Sequence, residues 1–221
     1  CEDTTSFREG NRSTTCVLSA PKSERLYMIE VEKKFVLSPE EQERLLAGAL
    51  FVSEKTFADE YVDTSEYALA KKDWWLRFRD GRGELKIPVS AGSKFLLDQY
   101  EEIEDEKEIV TRLGFSQEED LRISLPQSGY LPVCTITTHR TTYRDGDFRI
   151  DIDKATYGDG HTYAIAEVEL LVETPEQGAL AAQRIINYAA SKSLRDRPVR
   201  GKMLEYLFAR RPEVYQMLMH S

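Results

Sequence analysis

Charged side chains recur at every second position in segments whose apolar residues alternate as they do in β-strands. In IEVEKKF, Glu30, Glu32 and Lys34 fall at every second position, and the apolar residues Ile29, Val31 and Phe35 fall on the other face. Because side chains two residues apart share one face of a strand, the three charges lie together. Carboxylates are hard oxygen ligands that suit Mg²⁺ or Mn²⁺, and ammonium and guanidinium groups donate to the oxygens of a polyphosphate. The pattern therefore indicates a metal ion together with a polyphosphate.

An ionised face of this kind appears on most of the predicted strands. Beyond the first strand its members include Arg77, Arg79, Glu84, Lys86, Glu102, Arg149, Asp151, Asp153, Glu167 and Glu169. An open antiparallel sheet with one face in water is one explanation. The other is a closed barrel whose ionised faces point inward. The barrel is favoured because facing cations and anions offset the repulsion between like charges two residues apart. Such a barrel encloses a hydrated tunnel.

Alternating segments and turn residues predict a mostly antiparallel sheet. About eight segments alternate, near residues 27–36, 57–64, 73–80, 83–89, 96–104, 131–144, 147–155 and 162–173. Turns in RDGRGEL and YRDGDF join neighbouring segments as hairpins. Helices are expected after Ser38 and after Thr174, over DEKEIVTRLG, and once or twice near the carboxyl terminus. The sum is a single α+β domain over residues 27–221, with helices packed outside the sheet.

Composition limits the classes of partner. The net charge of -9, from 39 acidic and 30 basic residues, disfavours a general nucleic-acid or membrane-surface binder. No apolar run approaches the roughly 18 residues that span a bilayer, so a soluble protein is predicted. Residues 1–26 are polar and are expected to form a flexible leader. Three cysteines without paired spacing favour a reducing, cytoplasmic location, and the absence of a coiled-coil pattern favours a monomer.

Five segments, taken in order, resemble the CYTH or triphosphate tunnel metalloenzyme family. They are IEVEKKF, YVDTSEYALAKKDWWLRFRDGRGELKIP, YEEIED, TTHRTTYRDGDFRIDID and AIAEVEL. The first carries the family's E-x-E-x-K signature, which is weak alone and specific when the others follow it. Over residues 27–219 the sequence is similar to the animal branch of the family that hydrolyses thiamine triphosphate. The resemblance implies an eight-stranded antiparallel β-barrel, the triphosphate tunnel, and Mg²⁺-dependent hydrolysis of thiamine triphosphate to the diphosphate and phosphate.

The resemblance also implies a role for each ionised position. The carboxylates matched to metal binding are Glu30, Glu32 and Glu169, with Asp151 and Glu167 assisting. The cations matched to phosphate binding are Lys34, Arg77, Arg79, Lys86, Arg140 and Lys202, and Lys202 is expected at the start of the last helix. Glu102 matches an acidic position of the substrate site. The residues assigned to catalysis are Lys34, Tyr61 and Lys86, and the pair of Tyr61 and Lys34 is matched to water activation.

Trp75 falls on the ionised face of its strand. Trp74 and Leu76 occupy the other face, so the Trp75 indole shares a face with Arg77 and Arg79. Core packing is one fate for such a residue. The other is a cation–π contact with the thiazolium ring of thiamine, worth about 0.5–2 kcal/mol, which matches the family's thiamine contact.

Three other functions are open at this stage. An inorganic tripolyphosphatase would use the same tunnel without Trp75. An adenylate cyclase of the same family would release cyclic AMP and pyrophosphate from ATP. A noncatalytic module would bind polyphosphate without releasing phosphate. No serine, cysteine or histidine nucleophile is indicated, because His139, His161 and His220 have no partner that the sequence identifies.

Overall fold

The computed structural model of the protein describes residues 28–89, 97–116 and 120–220, which form eight β-strands and six α-helices. The strands are β1 (Ile29–Phe35), β2 (Leu50–Thr64), β3 (Trp75–Arg79), β4 (Arg82–Pro88), β5 (Asp98–Ile103), β6 (Tyr130–Asp145), β7 (Phe148–Tyr157) and β8 (Thr162–Val172). The helices are α1 (Pro39–Leu46), α2 (Glu106–Arg112), α3 (Leu121–Gln127), α4 (Pro175–Ser191), α5 (Lys202–Arg210) and α6 (Pro212–Met219).

The strands close into a barrel. Around it the order is β1, β5, β4, β3, β2, β6, β7 and β8, and β8 pairs again with β1. Every neighbouring pair is antiparallel. Closure gives both long edges of each strand a hydrogen-bonding neighbour. The predicted α+β fold with an eight-stranded antiparallel barrel is confirmed.

The apolar core lies outside the barrel, between its outer surface and the helices. Val31, Val168 and Ile185 belong to one buried cluster, formed by β1, β8 and α4. A second cluster lies under α2 and α3, and a third involves α5 and α6. Burial of each such side chain contributes about 1.5–3 kcal/mol. Because the outward face of each strand is covered in this way, its alternate residues point into the barrel.

Helices α1 and α4 begin as their sequences predict. The Ser38 hydroxyl accepts a hydrogen bond from the Glu41 N–H (3.3 Å), and the Glu41 carboxylate accepts one from the Ser38 N–H (2.9 Å). This reciprocal capping box satisfies two backbone donors that the first turn leaves free. At α4, the Gln177 side chain accepts a hydrogen bond from the Thr174 N–H (3.3 Å). Both helices therefore begin at a defined residue.

Two elements differ from the sequence-based expectation. Strand β2 begins at Leu50 rather than near residue 57. The sequence does not predict this earlier start, because Leu50, Phe51 and Val52 are three consecutive apolar residues without alternation, and all three are exposed. The sequence analysis also does not predict α3. This helix is a short segment that contains Pro126, a residue that normally interrupts helices. Its start is fixed instead by Asp120, whose carboxylate accepts a hydrogen bond from the Arg122 N–H.

Within the described ranges, no helix is long and apolar enough to cross a membrane. The leader predicted over residues 1–26 lies outside the described residues. The described chain begins at Met28, immediately before β1.

Candidate active site

A cavity of about 240 Å³ lies inside the barrel and is lined mainly by ionised side chains. The sequence-predicted residues that line it are Glu30, Glu32, Lys34, Tyr61, Trp75, Arg77, Arg79, Lys86, Glu102, Arg140, Glu167 and Lys202. They come from β1, β2, β3, β4, β5, β6, β8 and α5. The inward alternation of the strands therefore brings nearly all of the predicted site into one space.

The two other predicted carboxylates, Asp151 and Glu169, are buried in the barrel wall next to the cavity. The Asp151 carboxylate accepts a hydrogen bond from the Thr142 hydroxyl (2.6 Å) and forms an ion pair with Arg140 (2.5 Å). Glu169 lies opposite Glu32 in the pairing of β8 with β1. Both are therefore adjacent to residues that line the cavity, and neither is among the lining residues themselves.

One group of ion pairs joins β1 to β4 and β5. The Lys34 ammonium lies 2.6 Å from Glu32 and 2.6 Å from Asp98. Lys86 is hydrogen-bonded to Glu30, and its ammonium lies 3.8 Å from Glu102. Burial on its own would lower the pKa of Lys86, but the charges of Glu30 and Glu32 outweigh it and raise that pKa. Lys86 is therefore a fixed cation at neutral pH.

A second group involves two arginines of β3. The Arg77 guanidinium donates to Glu84 (2.6 Å) and to Glu102 (3.0 Å). Arg79 donates two hydrogen bonds to Asp59, of 2.8 and 3.1 Å, in the forked geometry typical of arginine and carboxylate. These pairs hold both guanidinium groups in defined orientations toward the cavity.

A third group surrounds Arg140. Its guanidinium donates to Asp153 (2.7 and 2.6 Å) and to Glu167 (2.7 Å), in addition to its pair with Asp151. Lys202, the first residue of α5, donates to Glu167 (3.1 Å) and also to Asp153. Lys202 begins α5 and not the last helix as expected, because Pro212 interrupts the helical run and starts a further helix, α6. Lys202 joins α5 to the inside of the barrel.

The surroundings shift the pKa values of two carboxyl groups of the site, Glu30 and Glu169, in opposite directions. Burial favours the protonated form of Glu30, but the charge of Lys86 and its hydrogen bond lower the pKa of Glu30 to about 2. Burial and the neighbouring Glu30 charge raise the pKa of Glu169 to about 9. Of these two neighbouring carboxyl groups, Glu169 is the one that binds a proton more readily.

This donor set fits a hard divalent cation that binds together with phosphate. In the parts of the chain that the structure describes, no three His, Cys, Asp or Glu side chains are grouped to hold a metal ion unaided. Mg²⁺ is usually bound by one or two carboxylates and completes its coordination with substrate phosphates and water. Glu30 and Glu169 supply two neighbouring carboxyl groups, and a divalent cation would offset the repulsion between their charges. Glu32, also on β1, is buried and lies opposite Glu169 of β8.

The structure adds residues that the sequence analysis did not assign to the site. Asp98 and Tyr100 line the cavity, and both lie on the same face of β5 as Glu102. The period of two was a usable signal for them, and it was also present for Asp59, two residues before Tyr61. Further lining residues come from the segment before α5 and from α5 itself, where no alternation exists: Val199, Gly201, Met203 and Leu204.

The fold and the cavity together define a closed antiparallel barrel whose interior is lined by ionised side chains. The family model described as the CYTH domain matches residues 28–195, so the chain belongs to the CYTH domain family. This membership confirms the resemblance seen in the sequence.

Proteins similar to this chain include two triphosphatases. The thiamine-triphosphatase of Homo sapiens is 31% identical over 211 residues, which cover 87% of this chain and 90% of the relative. The thiamine-triphosphatase of Macaca fascicularis is 30% identical with the same coverage. A solved structure from Pyrococcus horikoshii OT3 matches with a TM-score of 0.57 at 21% identity, covering 82% of this chain and 99% of the other. That structural likeness shows the fold.

Proposed function

We propose that the protein hydrolyses thiamine triphosphate to thiamine diphosphate and phosphate, with Mg²⁺ as the cofactor and Mn²⁺ as a possible substitute. The observation that carries the proposal is that the six predicted cations, a set of carboxylates and one indole all face a single cavity. A linear triphosphate needs several donors along its length, and an organic head needs a separate contact at one end. Two relatives named for hydrolysis of this compound, at about 30% identity, support the choice of substrate.

The cations of the tunnel are preorganised for phosphate. Lys34, Lys86 and Arg77 are each held by at least two carboxylates, so their positions do not depend on the substrate. Donors fixed in this way stabilise charge that develops on phosphate oxygens without reorganising during the reaction. Arginine adds bidentate contacts to phosphate that lysine does not make. The same ion pairs offset the positive charge of these three cations.

Phosphoryl transfer to water passes through a loose transition state, so the enzyme mainly has to align the chain and neutralise charge. The cations Lys34, Arg77, Arg79, Lys86, Arg140 and Lys202 would hold the phosphate chain and stabilise the leaving diphosphate. Tyr61 lines the same cavity and is assigned, with Lys34, to positioning the attacking water. In this account water attacks the terminal phosphorus directly, and no covalent intermediate forms on a side chain.

Glu30, Glu32 and Glu169 would hold the divalent cation, with Asp151 and Glu167 in support. When bound, the ion would neutralise phosphate oxygens and polarise the phosphoryl group. Glu102, which pairs with Arg77 and lies near Lys86, would keep these two cations oriented. At the other end of the substrate, the Trp75 indole, which lines the cavity, would form a cation–π contact with the thiazolium ring.

An inorganic tripolyphosphatase is the second candidate, since the tunnel cations alone are sufficient to hold that substrate. The test is phosphate release by the full chain from thiamine triphosphate, tripolyphosphate and ATP in the presence of Mg²⁺. We expect thiamine triphosphate to give the highest kcat/KM, with thiamine diphosphate as the product. A higher kcat/KM for tripolyphosphate that Trp75→Ala leaves unchanged would favour the second candidate.

Product analysis and binding calorimetry with the same three compounds test the other two functions. Formation of cyclic AMP and pyrophosphate from ATP would identify an adenylate cyclase. Calorimetric binding of all three compounds without phosphate release would identify a noncatalytic module. Either result would overturn the proposal.

A further inference from the structure

A single carboxylate holds two aromatic rings at one end of the cavity. Asp73 accepts a hydrogen bond from the Trp75 indole N–H (2.9 Å), and both of its oxygens lie 2.9 Å from the Tyr100 hydroxyl, which donates to them. Trp75 and Tyr100 both line the cavity, whereas Asp73 is not one of its lining residues. The carboxylate therefore acts on the cavity through the two rings.

The two rings come from strands that are not neighbours. Trp75 is on β3 and Tyr100 is on β5, and β4 runs between these strands. Strand pairing alone does not connect them. The Asp73 side chain bridges the gap, and burial together with the Asp73 charge raises the pKa of the Tyr100 phenol, so the phenol remains a donor. The orientation of both rings thus depends on one side chain.

The backbone holds Asp73 in an unusual conformation. Its φ is 58°, in the left-handed region, directly after a 3₁₀ turn over Ala70–Lys72. The Asp73 N–H donates to the Ala70 carbonyl (2.9 Å), and the Trp74 N–H donates to the Leu69 carbonyl (3.0 Å). Aspartate and asparagine tolerate this conformation better than most residues, and glycine adopts it freely. Substitutions that keep the backbone intact are therefore available.

We propose that Asp73 is a positioning residue that fixes Trp75 and Tyr100 to receive a cationic organic head on the substrate. This inference rests on the proposed function, because it assigns how one end of the same tunnel selects its substrate. Aromatic faces attract cations, and a carboxylate behind the rings adds negative potential at that end. A substrate that consists of phosphate alone makes no use of the two rings. Asp73 should therefore affect KM for the cationic substrate and leave hydrolysis of tripolyphosphate unaffected.

The kinetic test compares Asp73→Asn and Asp73→Gly with the wild-type full chain. For thiamine triphosphate we expect kcat/KM to fall about tenfold, mainly through KM, because the cation–π contact is weakened. For tripolyphosphate we expect no change. Asp80→Asn is the matched control, since Asp80 also has a positive φ (46°), lies at the opposite end of β3 and is not among the cavity-lining residues. Equal losses on both substrates, or no loss on either, would overturn the proposal.

A binding measurement separates this inference from the proposed function. In a Trp74→Phe background, Trp75 is the remaining tryptophan, because the chain has two. Trp74 packs against the cluster under α2 and α3, outside the cavity. We expect thiamine diphosphate to quench Trp75 fluorescence, and Asp73→Asn to weaken that titration about tenfold while leaving tripolyphosphate binding unchanged. This result would support the inference even if wild type hydrolysed neither substrate. An unchanged titration would overturn it even if the proposed function holds.

Discussion

Arg140 of β6 and Asp153 of β7 lie opposite each other in the barrel and share two hydrogen bonds, of 2.7 and 2.6 Å. The same guanidinium contacts Asp151 and Glu167, so one cation faces three buried carboxylates. Such an arrangement is sensitive to loss of the shared partner, because Lys202 and Arg149 would then be the remaining cations for three buried carboxylates.

Removing this guanidinium should therefore damage the fold as well as the site. We expect Arg140→Ala to lower the free energy of unfolding by about 3–5 kcal/mol at pH 7, as measured by urea denaturation followed by circular dichroism. Arg144→Ala, at an exposed position on the same strand, is the control and should change it little. If both variants unfolded at the same urea concentration as wild type, Arg140 would not hold the carboxylates of β7 and β8 in place.

Lys34 and Glu32 should matter for turnover more than for folding. We expect Lys34→Ala and Glu32→Gln to reduce kcat by about 10²–10³-fold, because fixed charges directed at the phosphates are removed. Phosphate release and circular dichroism are measured on the same preparations. Lys154→Ala, an exposed barrel position on β7, provides the comparison. A variant at Lys34 or Glu32 that is folded and fully active would refute the role assigned to that residue.

Metal dependence should be traceable to the carboxylates of β1 and β8. Chelation with EDTA should abolish phosphate release, and added Mg²⁺ should restore it. In Glu30→Gln and Glu169→Gln we expect the Mg²⁺ concentration for half-maximal activity to rise by at least about tenfold. Glu54→Gln, at an exposed position on β2, should leave it unchanged. Full activity in EDTA, or the same Mg²⁺ dependence in every variant, would contradict the metal assignment.

Glu41 should make stability depend on pH. The Glu41 carboxylate is buried and accepts hydrogen bonds from Arg195 and Arg197, which lie on the segment that leads to the cavity residue Val199. The Arg195 side chain and the Ser38 N–H lower its pKa below the ordinary value of 4.5. A lowered pKa means that the stabilisation is present above that value and is lost as the pH falls below it.

We therefore expect Glu41→Gln to lower Tm by several degrees at pH 7, with the difference from wild type shrinking below about pH 4.5. Differential scanning calorimetry between pH 3 and pH 8 measures it. Glu43→Gln, exposed on the same helix, should show no such trend. A difference that stayed constant across this range would mean that the ionised carboxylate is not what holds the segment.

The barrel, and the position of most candidate site residues around one cavity, were predictable from the sequence because one physical signal determines both. In β1, Glu30, Glu32 and Lys34 are held to one face by the period of two, and the apolar alternate positions require cover by helices. Once the strands close into a barrel, the ionised faces all point into the same interior, so closure alone brings them together. Helix α1 was equally predictable, since Ser38 and Pro39 are local signals.

Residues outside that alternation were not predictable. Asp73 precedes β3 and acts through its left-handed backbone, which depends on the 3₁₀ turn before it. Val199 and Gly201 reach the cavity because Glu41 anchors their segment from a distant helix, and the sequence gives no sign of such a tertiary contact. The pairing of individual charges, such as Lys34 with Asp98, likewise depends on the register between β1 and β5.

The central claim is that the inward charges of the barrel hold a triphosphate together with a divalent cation. The most direct measurement is anomalous diffraction from crystals of the full chain soaked with Mn²⁺ and tripolyphosphate. We predict a Mn²⁺ peak inside the barrel beside Glu30 and Glu169, with the phosphate chain running toward Lys34 and Arg140. Mn²⁺ and tripolyphosphate bound only on the outer surface, with the tunnel left to water, would contradict the account.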